Sequence, residues 1–349
     1  MAPLHCLDDD VASGCVARVP ILHHRTLSVT SPDLRKMIAS DDLYERRKSL
    51  KIQEPILYVA MSQNQNSRWY SLGLKPAAGY WLMSVPMPIS YFPSSSNSVV
   101  ALGSNIYMID GESDVFSKLM VMNSVTHAWT ETLEMSHSKM AKSCFLCVLD
   151  ESVVVVGGCD QGVKMEIYDT QTFSWESVPD PVYNKKSKVL LVAPCGGNIC
   201  VWMYSTGERR GSKQLFNLKK RSWSSEQPSH LSPSLFNTQT VLIGDIIVRV
   251  ILGNIRFYDE ESDRFLLVDG YSVLGKQILY TAVSAGGNLL AFSRNRAVGT
   301  QAATLFTEEI KLEKRGGKVV ATMLWSSTTA NLDHQSPVPR FFGSACVTK

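Results

Sequence analysis

The chain of 349 residues, 44% of them hydrophobic, is long and apolar enough to build a sizeable core, and its formal net charge of +3 points to no particular partner. Its 8 cysteines are too sparse for a disulfide scaffold, and no stretch is apolar for long enough to span a bilayer. The first 19 residues carry Asp8-Asp9-Asp10 and no long apolar run, which excludes a secretory signal, so a soluble protein of the cytoplasm, the nucleus or both is expected.

Residues 1–50 read as a small all-α module. Val11, Cys15, Val16 and Val19 recur at helical spacing until Pro20 stops the helix. Ser31-Pro32 caps and opens another helix through Leu34, Met37 and Ile38, and a last one carries Leu43, Tyr44 and Leu50. Charges balance in this stretch, seven acidic against seven basic, so it is no basic arm for nucleic acid. The module is too small to bury all its apolar residues, and Leu7, Val11, Val19, Pro20, Ile21 and Leu27 are expected to form a partner surface. Leu7 and the acidic run, Cys15-Val16-Ala17-Arg18-Val19-Pro20, Leu27-Ser28-Val29, Ile38-Ala39-Ser40 and Leu43-Tyr44 together resemble an F-box of the kind that precedes kelch repeats in plant proteins. The likeness departs at Asp8, where a proline is usual, and at Thr30-Ser31, where Ser-Lys or Cys-Lys is commoner. It implies a Skp-family adaptor as partner and, through it, a cullin scaffold.

Residues 51–55 are the whole linker and span at most roughly 17 Å, so module and β domain should hold a nearly fixed relation. Residues 56–349 read as strands. The clearest stretch, residues 144–179, holds four short strands joined by tight turns, with Gly157-Gly158 after the second, Tyr168 in the third and Trp175 opening the fourth. A sheet apolar on both faces buries itself between copies of itself, and the copies are marked by Trp81, Trp129, Trp175, Trp223, Phe265 and Trp325, at intervals of 48, 46, 48, 42 and 60 residues. The Gly-Gly pair, Tyr168 and Trp175 resemble the kelch repeat, which implies a mainly β chain: a six-bladed kelch-type β-propeller preceded by the F-box module. The wide last interval is expected to be a loop insertion. The first blade shows only three strands, at residues 56–61, 69–72 and 81–85. The tail at residues 340–347 resembles residues 142–148, the first strand of the third blade, and is expected to supply the missing inner strand.

Catalysis has no visible home. Cys144 and Cys147 invite a zinc or redox reading, but three apart on a strand they point to opposite faces, and the seven histidines are scattered. No phosphate loop or nucleophile elbow is present, so no cofactor and no metal are expected. A kelch-propeller enzyme would need a cluster at the central channel, and a scaffolding kelch protein would need no ligase partner. The implied function is a non-catalytic substrate-recognition subunit of a Skp–cullin–F-box ubiquitin ligase. Its target surface is sought among nine basic residues between positions 183 and 221, which face one acid, Glu208. Strand order places Lys185, Lys186, Lys188, Arg209 and Arg210 on one propeller face, joined by Arg294 and Arg296 from a loop of the sixth blade, with Lys219, Lys220 and Arg221 opposite. An acidic or phosphorylated protein target suits such a set, with no nucleic acid and no membrane among the partners.

Overall fold

The computed structural model describes the whole chain except residues 1–7, 64–65, 76–78, 86–92, 94, 96, 110–114, 160–162, 182–186, 232–239, 252, 272–276, 286, 297–302, 333–339 and 349. It opens with α1 (Asp9–Ala17), α2 (Ile21–Ser28), α3 (Pro32–Ile38) and α4 (Asp41–Ser49). Six antiparallel sheets follow. Blade one contains β1 (Pro55–Gln63), β2 (Asn66–Lys75) and β3 (Gly79–Ser84). Blade two contains β4 (Val99–Leu102), β5 (Asn105–Met108) and, beyond the two-residue β6 (Val115–Phe116), β7 (Met120–Asn123) and β8 (Trp129–Glu131); β6 pairs outside the blade with β9 (Lys139–Met140). Blade three is β10 (Cys144–Leu149), β11 (Ser152–Gly157), β12 (Met165–Asp169) and β13 (Ser174–Ser177). In blade four, β14 (Ser187–Cys195), β15 (Asn198–Ser205) and β16 (Arg210–Asn217) meet an outer strand split into β17 (Ser222–Trp223) and β18 (Gln227–Ser229). Blade five is β19 (Thr240–Ile243), β20 (Ile246–Ile251), β21 (Asn254–Asp259) and β22 (Arg264–Leu267). Blade six is β23 (Gln277–Ala285), β24 (Asn288–Arg296), β25 (Ala303–Arg315) and β26 (Lys318–Leu332). Finally β27 (Arg340–Thr348) returns to blade one and pairs antiparallel with β1, Ile56 opposite Val347 and Tyr58 opposite Ala345.

The inner strands β27, β4, β10, β14, β19 and β23 touch in succession, and β23 meets β27 to close the ring. The inner strand of blade three, β10, is buried on both sides. In β11, Val153 and Val155 pack toward blade two while Val154 and Val156 pack toward blade four, which is why this stretch is continuously apolar rather than alternating. The last strand behaves alike: Ala345 and Val347 join a cluster with residues of blade two, and the intervening Cys346 packs toward Leu290 and Phe292 of blade six.

The repeat has a conformational basis. Asn123, Asp169, Asn217 and Asp259 each end a third strand and accept backbone N–H bonds from the turn that follows, as in Asp169 Oδ1 with Gln171 at 2.8 Å and Thr172 at 3.1 Å. Four residues on, His127, Phe173, Arg221 and Asp263 take positive φ, and two further on stands the aromatic that opens the fourth strand. That aromatic ties blade to blade. Trp175 Nε1 donates to Leu133 O at 2.8 Å and Trp223 Nε1 to Pro179 O at 2.6 Å, in each case reaching the residue four beyond the preceding blade's Trp. Phe265 has no such donor, and the junction of blades four and five instead carries Trp202 Nε1 donating to Tyr258 Oη at 3.3 Å. The glycine pair that closes β11 is required by close packing, since a Cβ on Gly157 would lie 2.6 Å from Ser143 O and one on Gly158 2.2 Å from Cys144 Sγ.

The sixth blade departs from the sequence-based expectation. Much of its extra length lies in the strands themselves, β25 and β26, joined by the tight turn Gly316-Gly317 and running past the start of β24. Leu312, Val319 and Ala321 on this extension are buried against Val241, Ile243 and Val268 of blade five, so apolar packing rather than loop tolerance retains it.

Candidate interaction surfaces

Antiparallel order divides the turns between two faces. Connections from first to second and from third to fourth strands emerge on the face where β1 begins and β27 ends, which therefore also receives the helical module; the others emerge on the far face. On the far face Thr240 N–H donates to Asn97 Oδ1 at 3.3 Å, a bond between opposite blades across the ring.

In the module, Ser31 Oγ caps α3 by accepting from Leu34 N–H at 3.1 Å, and Asp8, the departure from the usual proline, caps α1 through Asp10 N–H at 2.9 Å. Its core is small: Val16, Ala17, Leu34 and Leu43, flanked by Met37, Ile38, Tyr44 and Leu50. The residue that organises it is Arg47, only 1% exposed. Its guanidinium donates to Ala17 O (2.5 Å), Val19 O (2.8 Å), Ile52 O (2.9 Å) and Glu54 Oε2 (3.1 Å). Glu54 Oε2 also accepts from Ile21 N–H at 2.8 Å, where the N-terminus of α2 favours a carboxylate. The end of α1, the start of α2 and the linker are thus held by one charged side chain, and the linker is no free tether.

Of the expected partner residues, Val11 is 51% exposed. Pro20 is exposed as well, Val19, Ile21 and Leu27 are half-buried, and Leu7 lies outside the described residues. Val29, at the C-terminal cap of α2, is a further exposed apolar residue of the module, at 70%. Between α4 and the blade-two turns runs a cleft of about 700 Å³, lined by Asp41, Tyr44, Glu45 and Lys48 on one side and by Ser104, Asn105 and Val125 on the other.

The basic residues are distributed differently from the expectation. Lys185 and Lys186 lie outside the described residues. Lys188 is exposed on β14, and Arg209 is exposed in the β15–β16 turn at a φ of 53°. Arg210, beside it, is not an uncompensated charge: its Nε meets Glu208 Oε2 at 2.6 Å and its Nη2 meets Glu226 Oε2 at 3.9 Å. Glu226 escaped the sequence reading because it approaches only when β18 folds back beside β16. Arg294 and Arg296 are strand residues rather than loop residues, paired in the β24–β25 ladder with Leu305 and Ala303, because that ladder runs to the end of β24. A groove of about 590 Å³ adjoins Arg209 and Arg210, with Tyr204, Glu226 and His230 along it.

Cys144 and Cys147 are both buried on β10 and join different clusters, Cys144 toward blade two and Cys147 toward blade four. Burial pushes each thiol up to about 12, which leaves them protonated packing groups. One buried polar site had no sequence signal. Lys139 Nζ and Glu166 Oε1, both fully buried, stand 3.5 Å apart, and Glu166 also accepts from Ser136 N–H (2.7 Å) and His137 N–H (3.2 Å), pinning the connection between blades two and three. Among the described residues no three His, Cys, Asp or Glu side chains are grouped to hold a metal ion, and no helix is long and apolar enough to cross a membrane.

The family model described as FKB95, Kelch-repeats domain, matches residues 63–329. An F-box/kelch-repeat protein of Arabidopsis thaliana is 26% identical over 352 residues, covering 91% of this chain and 89% of that one. Another is 33% identical over 209 residues, 51% of this chain and 53% of that one, so the chain spans about half the length of some relatives it matches. Among solved structures, a chain of the nidogen/laminin complex aligns with a TM-score of 0.50 at 8% identity, over 84% of this chain and 98% of that one, a likeness of fold alone. With the repeat matched across most of the ring and a helical module ahead of it, the chain belongs to the plant F-box/kelch-repeat family.

Proposed function

We propose that the chain is the substrate-recognition subunit of a Skp–cullin–F-box ubiquitin ligase, acting in the cytoplasm, the nucleus or both. The helical module docks on a Skp-family adaptor, and through it a cullin scaffold, by Val11, Val19, Pro20, Ile21 and Leu27, with Leu7 in the same set. The observation that carries the reading is a module with a core of four small and medium side chains that leaves Val11 and Pro20 in water while Arg47 and Glu54 tie it to the linker. A surface of this kind is useful when a partner covers it. The far face, with Lys188, Arg209 and Arg210 and with Lys185, Lys186, Arg294 and Arg296 in the same set, receives a target bearing carboxylates or phosphates. Module and target then sit at opposite ends of the propeller, and ubiquitin transfer is left to other subunits.

The test is co-purification of the full chain with the adaptor. Replacing Pro20 and Leu27 together by Asp abolishes capture while the thermal transition of the propeller is unchanged. Undiminished capture by that variant refutes the docking assignment, and absence of capture by the unaltered chain leaves a scaffolding role in its place.

A further inference from the structure

The turns between third and fourth strands on the module face share one conformation, and in blade three it is taken by a bulky aromatic. His127, Phe173, Arg221 and Asp263 have φ of 56°, 55°, 51° and 51° at equivalent places in blades two to five. Asn, Asp and Gly tolerate the left-handed region, whereas a bulky aromatic there is a genuine outlier. Burial does not offset the strain, because Phe173 is 63% exposed. A solvent-facing aromatic that neither the backbone nor the core requires points to a contact with another molecule.

The adjoining turn supplies charge. Lys219, Lys220 and Arg221 are all exposed. Arg221 Nη2 crosses to Glu176 Oε2 of blade three at 2.6 Å, which brings the blade-four turn alongside the one that Phe173 tops. Arg221 is thereby engaged, while among the described residues no carboxylate pairs with Lys219 or Lys220. Within blade three Glu151 is joined to Phe173's own turn, its carbonyl accepting from Thr170 Oγ1 at 2.8 Å, with Asp150 beside it. Acids thus accompany the aromatic in its own blade while the lysines stand on the neighbouring turn of blade four, so an occupant has a defined orientation.

We propose that Phe173, Lys219 and Lys220 form a docking surface for an acidic polypeptide segment with an apolar anchor, the anchor resting on Phe173 and the carboxylates turned toward blade four. The surface is on the face opposite the basic groove and does not depend on what the helical module binds. Three components act together: a rigid aromatic, which gives contact area at little entropic cost; two cations, which fix polarity; and Asp150 with Glu151, which repel a reversed segment.

The experiment uses the full chain and an array of immobilised peptides, each with a central leucine and glutamates or lysines on one flank or both. The unaltered protein is retained by glutamate-flanked peptides and released by salt. Phe173→Asn is the informative variant, because asparagine suits a positive φ: its melting midpoint is unchanged or higher while retention falls about tenfold. Lys219→Glu with Lys220→Glu shifts the preference to lysine-flanked peptides. Three results overturn the proposal: no glutamate-flanked peptide retained by the unaltered chain, Phe173→Asn retained as well as the unaltered chain, or a loss of retention that accompanies a lowered midpoint.

Discussion

Arg47→Met is the sharpest perturbation of the joint between module and propeller. Methionine keeps a long helix-compatible side chain and removes every donor, so Ala17 O, Val19 O, Ile52 O and Glu54 Oε2 lose their shared partner. Removing one member of a buried charged set costs about 3–5 kcal/mol. The Glu54 side chain is 42% exposed, so water recovers part of its solvation and the lower end, about 3 kcal/mol, applies. A module of about 50 residues, at roughly 0.05–0.15 kcal/mol per residue, has only about 2.5–7.5 kcal/mol to lose. The variant module is therefore marginal while the propeller, which shares none of these bonds beyond the linker, stays folded. Limited trypsin digestion of the full chain reads this directly, since Lys48 and Lys51 flank the end of α4. Cleavage there speeds up by about a hundredfold, the factor that about 3 kcal/mol implies when opening is in fast equilibrium. Cleavage at the rate of the unaltered chain, with Arg47 replaced, would show that the guanidinium does not hold the joint.

Deleting residues 340–348 removes the backbone partner of β1 and the buried Ala345 and Val347, so the product aggregates or melts far lower; a soluble truncated chain with an unchanged midpoint refutes this account of ring closure. Acid sensitivity follows from Asp169, whose carboxyl is held below its usual range first by the backbone N–H of Thr172 and then by that of Gln171. A depressed folded-state value stabilises the ionised form above the ordinary carboxylate range and is lost as pH falls through it, so the gap in melting midpoint between the unaltered chain and Asp169→Asn narrows below about pH 4, and a gap constant with pH argues against the capping role.

The fold was legible wherever the same short-range need recurs. Trp129, Trp175 and Trp223 stand six residues after the Asx that caps the turn because the Asx, the positive-φ residue and the aromatic form one local unit, to which Trp175 and Trp223 add an indole bond to the preceding blade. The tail resembles residues 142–148 because β27 and β10 are both inner strands, in which neighbouring residues pack on opposite sides. What was not legible depends on contacts distant in sequence. Nothing local distinguishes Arg47, which enters the core, from Arg46, which meets Asp10 at the surface, since both lie in one basic run of α4. Glu226 meets Arg210 only across a fold-back of the outer strand, and the extension of blade six is retained by a neighbouring blade. The basic set could be assigned to a face from strand order, but its net charge could not, because partners such as Glu226 are placed by tertiary structure.

Pairing β27 with β1 has a consequence for synthesis. The residues joined, Tyr58 with Ala345 among them, are separated by nearly the whole propeller, so blade one remains an incomplete sheet while the ribosome produces the other five. Its exposed edge and the unburied Leu57 and Val59 must be shielded during that interval, which makes the nascent chain a client for chaperones until residues 340–348 emerge. A message cut short anywhere in the propeller yields an open ring with that edge unprotected, so truncated products are distinguished from complete ones by aggregation rather than by weakened activity.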